Sequence, residues 1–283
     1  MNTSFKTSII TTATINTPYR NDPWKEAIRC YLDFADEVIV VCGHHKDIQT
    51  ITEEFGDNKK LVLNYMDWPY KWNWIELPKH MNRGLELATK EVIIRMDIDY
   101  FIHEKDFKEF KEQLKVFYES GDLIAKTLKV NVMNKYNGMI KSRNANVING
   151  RRKDAIRFGK AENKETDWTV PTINIGSCKK PKYIAFEEAD SKLLRTWIYN
   201  YDYFFCTKRD VQKEFWRFAQ AYSAAFIKSW GATEEEAYDK WIRMQTGRLL
   251  KAGEEIDHPK YIKKRIDKMP REEWGYCNWD LIK

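Results

Sequence analysis

Residues 91–102, Glu91-Val-Ile-Ile-Arg-Met-Asp97-Ile-Asp99-Tyr-Phe-Ile, constrain the fold more than any other stretch of the chain. A short apolar run of this kind suits a strand buried on both faces. Asp97 and Asp99 then stand at its carboxyl end, where open α/β sheets bind their ligands. Two acids in such a place must be hydrated, paired or bound to a cation, because an unpaired buried charge is too costly. Hard oxygen ligands suit Mg²⁺ or Mn²⁺, with phosphate oxygens completing the shell. The competing reading of the pair alone is a strand end followed by an Asp-rich turn.

The rest of the chain reads as alternating strands and helices. Residues 8–15 are β-branched and form a first strand, followed by a polar loop from Asn16 to Asp22. Pro23 opens a helix with Asp22 as N-cap and Trp24, Ala27, Ile28, Tyr31 and Leu32 on its apolar face. Glu37–Cys42 is a second strand, Asp47–Phe55 a short helix and Lys60–Tyr65 a third strand. After a Trp-rich loop, Pro78 starts a helix with Met81, Leu85 and Ala88 on one side, and the 91–96 strand follows. This β-α-β-α-β-α-β order predicts a parallel sheet with right-handed crossovers. A helix over about 104–118 follows from the spacing of Phe107, Phe110, Leu114 and Phe117. Residues 120–200 show short β-like runs (123–132, 172–175, 183–186) around a basic, Asn-rich segment at 141–160, read as irregular structure or a hairpin excursion. An aromatic strand at 201–207, helices at about 209–229 and 233–252 and a polar tail complete the chain.

Composition bounds the function classes. At 283 residues and 43% hydrophobic, the chain can bury a large α/β core, and it is read as one domain over 1–283, with a nucleotide-binding half at 1–119 and an acceptor-binding half at 120–283. Its net charge of +6 fits an anionic ligand, a membrane surface or nucleic acid without singling one out. Five scattered cysteines, Cys30, Cys42, Cys178, Cys206 and Cys277, include no C-x-x-C pair, which predicts reduced thiols, a cytoplasmic setting and no zinc site. The N-terminus has no signal-peptide core, and no apolar run reaches the roughly 18 residues that span a bilayer. Arg83 and Arg95 are candidates for phosphate contacts, and Trp68, Trp72 and Trp74 for stacking on a base or sugar. A nucleotidyltransferase would want a Gly-rich cradle after the first strand, and residues 11–22 contain no Gly. The alternative class is a non-catalytic nucleic-acid-binding protein using the basic 141–160 segment and the aromatics.

Taken in order, these motifs resemble the GT-A glycosyltransferases, especially family 2. Thr11-Thr12-Ala13-Thr-Ile-Asn-Thr17 is similar to that family's first nucleotide-contacting strand, and Glu37 to Asp47 to its second strand and the loop whose acid meets the nucleobase. Asn82-Arg83-Gly-Leu-Glu-Leu-Ala88 resembles the helix before the metal strand, and Arg95-Met-Asp97-Ile-Asp99 the R-x-D-x-D segment. The resemblance covers residues 8–105 well, is weaker through 200–258 and does not extend to 120–200. It implies a Rossmann-like, mostly parallel sheet flanked by helices, with a long irregular middle insertion and a helical C-terminal part. It further implies a UDP- or GDP-sugar donor, a glycan or other hydroxyl acceptor, and inversion at the anomeric carbon. Donor contacts would come from Thr11, Thr12, Ala13, Asp47, Asn82, Arg83, Arg95 and Asp97. Mn²⁺ or Mg²⁺ would sit on Asp97 and Asp99, with the late His258 of Asp257-His258-Pro259 completing the shell. The late acidic motif matches Glu234–Arg243 followed by Ala252-Gly253, with Glu236 the matching acid and base and Asp239 one helical turn further on. A nucleic-acid acceptor is admissible and not required.

Overall fold

The structure, a computed structural model, describes residues 5–17, 20–69, 73–133, 138–162, 169–177, 179–186, 191–202, 204–226, 229–246, 250–251 and 256–270. Trp72, Cys178, Cys277, Ala252, Gly253 and the polar tail from 271 lie outside those residues. Strands β1 (Thr7–Ala13), β2 (Glu37–Cys42), β3 (Leu61–Tyr65) and β4 (Val92–Arg95) alternate with helices α1 (Trp24–Phe34), α2 (His45–Phe55) and α3 (Glu76–Leu87). Next come β5 (Tyr100–Ile102), α4 (Phe107–Ser120), β6 (Ile124–Val132), β7 (Gly138–Asn149), β8 (Ile156–Phe158), β9 (Pro171–Asn174), β10 (Tyr183–Ala185) and β11 (Lys192–Asn200). The chain continues with α5 (Lys208–Phe226), α6 (Glu234–Thr246), β12 (Leu250–Lys251) and α7 (Lys260–Lys268).

The main sheet runs β3-β2-β1-β4-β7-β6-β11-β5, with β12 on β7. Six of the eight strands on that path point the same way; β7 and β5 oppose them. The apolar runs are continuous because both faces are covered. Along β2, Val38, Val40 and Cys42 join the core under α1 and α4, while Ile39 and Val41 join the core under α3. Ile9 and Ile10 on β1, and Val92 and Ile93 on β4, divide between the faces in the same way. From β1 the chain builds outward to β2 and β3, then crosses by α3 to the opposite side of β1 to make β4. The carboxyl ends of β1 and β4 therefore flank the point where the winding reverses, the place such sheets keep for ligands.

The middle of the chain is more regular than its sequence suggests. The segment from 141 includes most of β7, which pairs with both β4 and β6 at the centre of the sheet. One of its polar residues, Asn146, is satisfied inside the protein: it accepts from the Thr127 hydroxyl at 2.9 Å and donates to the Arg95 carbonyl at 3.3 Å. A second sheet, β10-β9-β8, packs against α3 through β8. The strand lies earlier than the 201–207 expected, as β11 ending at Asn200, and Asp202 and 204–205 are in turn conformation before α5. Asp22 does not cap α1; its carboxylate pairs with Arg20, and Pro23 occupies the cap position. Helix α3 starts two residues before Pro78, which is tolerated because first-turn amides have no helical partner. Cys30, Cys42 and Cys206 are buried free thiols, and among the described residues no helix is long and apolar enough to cross a membrane.

Glu37 locks the amino end of the parallel strands. It accepts from the Ser8 hydroxyl at 2.6 Å, the Thr89 amide at 2.9 Å and the Thr89 hydroxyl at 2.7 Å. Burial pushes this carboxyl up, but the bonds from Ser8 and Thr89 outweigh it and hold it below its ordinary 4.5. A depressed carboxyl stabilises the fold fully above its unfolded value, and that contribution disappears as pH falls through the folded value. Glu37→Gln is expected to cost about 1–3 kcal/mol at pH 7. In thermal melts at stepped pH, its deficit against the parent should hold steady near neutrality and shrink below pH 4.5. A deficit that persists unchanged into acid would assign the loss to packing.

Candidate functional site

A cleft of about 750 Å³ opens at the carboxyl ends of β1 and β4. Thr12 near the end of β1, Thr14 just after it, Trp68 after β3 and Trp74 before α3 line one side, and Arg95, Asp97 and Asp99 line the floor. Lys129 of β6, Arg143 of β7, and Asn200 and Asp202 at the end of β11 line the floor's far end, while Glu214, Arg217 and Phe218 of α5 form the opposite wall. Thr169, Val170, Ala185 and Phe186, flanking the small sheet, close the remaining side.

The floor is a tight turn between β4 and β5. The Tyr100 amide donates to the Asp97 carbonyl at 3.0 Å, and the Tyr201 amide to the Asp99 carbonyl at 3.1 Å. The buried Tyr31 hydroxyl of α1 lies 2.5 Å from the Asp97 carbonyl oxygen and 2.8 Å from that of Tyr100. Asp97 is partly exposed and pairs with Arg95 at 2.5 Å; Asp99 is only 2% exposed. Burial, and then the charges of Asp202, Asp22 and Asp97, push the Asp99 carboxyl well above the ordinary carboxylate range, with Arg20 opposing. Asp202 is pushed up to about 7 by burial; Arg20 works against this, and Asp22, Asp97 and Glu214 add to it. Lys129, buried beside these acids with its Nζ 3.2 Å from the Tyr100 hydroxyl, is held below the usual lysine range by burial, which the charge of Asp97 opposes. Five acids and five cations line the described cleft, so its charge is closely balanced rather than uniformly basic.

The sequence-predicted residues divide into three groups. Thr12, Arg95, Asp97, Asp99, Trp68 and Trp74 meet in the cleft. A second group is built into the scaffold around it. Thr11 and Ala13 are buried. Asp47 is fully buried, with one oxygen on the Asn16 amide and side chain and the other on the His44 amide, closing a capping box at the start of α2. Asn82 makes two bonds to the Phe158 backbone, tying α3 to β8, and Arg83 bonds Asn64 and Glu86. His258 is buried with Nδ1 2.7 Å from the Tyr201 hydroxyl and does not line the cleft. The third group lies elsewhere: Glu236 and Asp239 are exposed on α6, and a Glu236 oxygen accepts from the Ala232 amide at 2.8 Å.

Sequence reasoning missed Asp202, Glu214, Lys129, Arg20 and Asp22. Asp202 stands two residues past the end of β11, as Asp97 stands two past the end of β4. Placing an aromatic strand at 201–207 hid it. Glu214 sits at 5% exposure, with one oxygen 2.7 Å from Arg217 and the other without a hydrogen-bond partner.

No protein-family profile matches the chain, and no curated protein sequence matches it. Among solved structures, the chain is similar to S. aureus TarS 1-349 at 13% identity and TM-score 0.39, over 86% of this chain and 72% of that one. It is similar to that protein in complex with UDP-GlcNAc at 14% identity and TM-score 0.37, over 86% and 73% of the two chains. Mannose-6-phosphate isomerase from Helicobacter pylori is similar at 10% identity and TM-score 0.36, over 69% and 97%. Likenesses this distant fix neither a family nor an activity, and the functional reading rests on the cleft.

Gly43, just past β2, sets how closely two cleft residues approach. A Cβ there would stand 2.7 Å from Thr14 Cγ2 and 2.8 Å from Trp68 Cβ, inside any tolerated contact. Gly43→Ala should force Thr14 and Trp68 apart and cost about 1–3 kcal/mol, the usual scale of overpacking. Thermal unfolding checks it, and an unchanged melting temperature would mean the Trp68 loop yields freely.

Proposed function

We propose that the cleft binds a nucleotide-sugar, with UDP- or GDP-sugars as the donors, and passes the sugar to an acceptor hydroxyl with inversion. The observation that carries this reading is the cluster of carboxylates at Asp97, Asp99 and Asp202, at the point where the sheet's winding reverses. Asp99 and Asp202 are raised first by burial and then by neighbouring carboxylates, and acids so perturbed in a cleft are functional-site candidates. The order of motifs along the chain supports a sugar-nucleotide ligand over other anionic ones, and the balanced charge speaks against a nucleic-acid groove.

A divalent cation fits this floor. The donors are all carboxylate oxygens, the hard set that suits Mn²⁺ or Mg²⁺. The negative neighbours that disfavour the ionised form of Asp99 are what a cation would offset. Among the described residues no group of three or more His, Cys, Asp or Glu could hold an ion unaided. That suits an ion held by one or two carboxylates and substrate phosphates. Asp99 would ligate it, with Asp97 acting through water or the ribose. When bound, it would neutralise charge on the departing diphosphate.

The chain's own residues account for the remaining tasks. Asp202 is the better base than Glu236 or Asp239, since it lines the cleft and they do not. With its carboxyl near neutrality, it can take the acceptor's proton. As that oxygen bonds to the anomeric carbon, the bond to the diphosphate breaks and the phosphate leaves with the electron pair. Arg20, Arg95 and Arg217 line the cleft where phosphates would lie.

Asp202→Asn should lower transfer by roughly two to four orders of magnitude, the contribution of a general base, and leave nucleotide binding intact. Asp99→Ala should abolish the Mn²⁺-dependent part of the thermal stabilisation by UDP or GDP. Glu236→Gln should remain active. Full activity of Asp202→Asn, or a product that keeps the donor's anomeric configuration, would reject the mechanism.

A further inference from the structure

A second chamber of about 320 Å³ opens beside the cleft. Tyr100, Lys129, Asn200, Asp202 and Phe218 line both spaces, so the two meet at Asp202. One side of the chamber is apolar and aromatic: Trp230 and Trp241 lie beside Phe218, with Met244 of α6 at 37% exposure on the rim. These rings brace one another through Phe215, which stacks on Trp241 at 4.8 Å and meets Trp230 edge-on at 5.5 Å. The other side is polar and fixed. The Asn200 side chain donates to Asn131 at 2.8 Å and accepts from the Asp202 amide at 2.9 Å, with Lys129 alongside.

We infer that this chamber is the acceptor subsite and that its ligand is a carbohydrate ring. The inference rests on the transfer reading, in which a hydroxyl must reach Asp202 from a side that the donor does not fill. The class of ligand follows from the walls. A pyranose has an apolar C–H face that lies against aromatic rings and an edge of hydroxyls that both donate and accept, and it meets both sides at once. A hydrocarbon alcohol would displace water from the Asp202 carboxyl and offer it only the one reacting hydroxyl in exchange. A phosphate-rich acceptor would meet the Asp202 carboxylate with Lys129 as the one cation among the described lining residues. The chamber's join at Asp202 also explains why that acid lines both spaces: it would receive the proton from one ligand as the other accepts the oxygen.

The test uses the full chain with two variants, Trp230→Ala, which removes a half-buried ring, and Met244→Trp, which fills the rim from an exposed position. Methyl glycosides of glucose, galactose and N-acetylglucosamine serve as probes, with n-octanol and a short oligonucleotide as rivals. Two readings are taken: saccharide binding by ligand-observed NMR in the presence of UDP and Mn²⁺, and transfer from UDP- or GDP-sugars. The expected result is that a glycoside binds and accepts, that Trp230→Ala raises its KM by up to about tenfold, the scale of a lost aromatic contact, and that Met244→Trp raises it by narrowing the mouth. The kcat and the stabilisation by UDP should change little, which a general loss of structure would not allow. Transfer to a glycoside with unchanged KM in both variants would overturn the chamber and leave the transfer reading standing. Glycoside binding lost in both variants, with no transfer by the parent, would support the chamber and overturn the transfer reading. Preference for n-octanol or for the oligonucleotide would overturn the inference.

Discussion

The floor of the cleft hangs on one buried hydroxyl. Tyr31 has no exposure, and its oxygen lies within bonding distance of the carbonyls of Asp97 and Tyr100. A chain that leaves a central strand and turns at once buries carbonyls, and each one left without a donor costs about 1–3 kcal/mol. The Tyr100 amide serves the Asp97 carbonyl, and the Tyr31 hydroxyl, with its single proton, donates to one of the two carbonyls at a time. This donor from α1 helps the turn form away from water, with Asp97 and Asp99 lining the cleft. The same turn holds the next acid, because the Asp99 carbonyl accepts the Tyr201 amide and Asp202 follows. The positions of three carboxylates thus derive from the packing of a core helix on the sheet.

Those carboxylates are not arranged for stability. Arg95–Asp97 and Arg20–Asp22 are close ion pairs, yet Asp99 and Asp202 sit deep among other acids, and burial is the largest cause of both upward shifts. Replacing buried charges by packed apolar groups often stabilises a protein, so a fold that keeps them where like charges accumulate retains them for another reason. A ligand that brings positive charge, or removes a proton's worth of negative charge, relieves that arrangement. This is why the acid cluster carries more functional weight than the balanced total charge of the cleft.

The first half of the fold was legible in the sequence because its strands are apolar on both faces. In β1, β2 and β4, consecutive residues enter opposite cores, which leaves unbroken Ile and Val runs in β2 and β4 and the adjacent Ile9 and Ile10 in β1. Strand β7 carries no such mark. It lies between β4 and β6, but Arg143 and Asn144 face the cleft and Asn146 is bonded to Thr127 and Arg95, so a central strand reads as a polar loop. The aromatic Tyr201, Phe204 and Phe205 suggest a strand at 201–207, but they are buried after the end of β11, and burial rather than strand pairing explains their character. That boundary concealed Asp202. Glu214 and Lys129 were illegible for a different cause: each lies on a long element, and only the tertiary fold turns it toward the cleft.

The contrast between Glu236 and Asp202 shows what separates a motif match from a site. Thr233-Glu-Glu-Glu236 has the spacing of a helix cap, and the structure uses it as one: the Thr233 hydroxyl accepts from the Glu236 amide at 3.2 Å, and the Glu236 carboxylate accepts from Ala232. Asp47 is committed in the same way, its two oxygens taken by Asn16 and His44. An acid whose lone pairs are claimed by backbone amides has little capacity left to accept a substrate proton. Asp202 lies where two cavities meet. Sequence spacing brings Glu236 and Asp47 forward and leaves Asp202 unmarked. The bonds their oxygens already make leave Asp202 as the one of the three suited to move a proton.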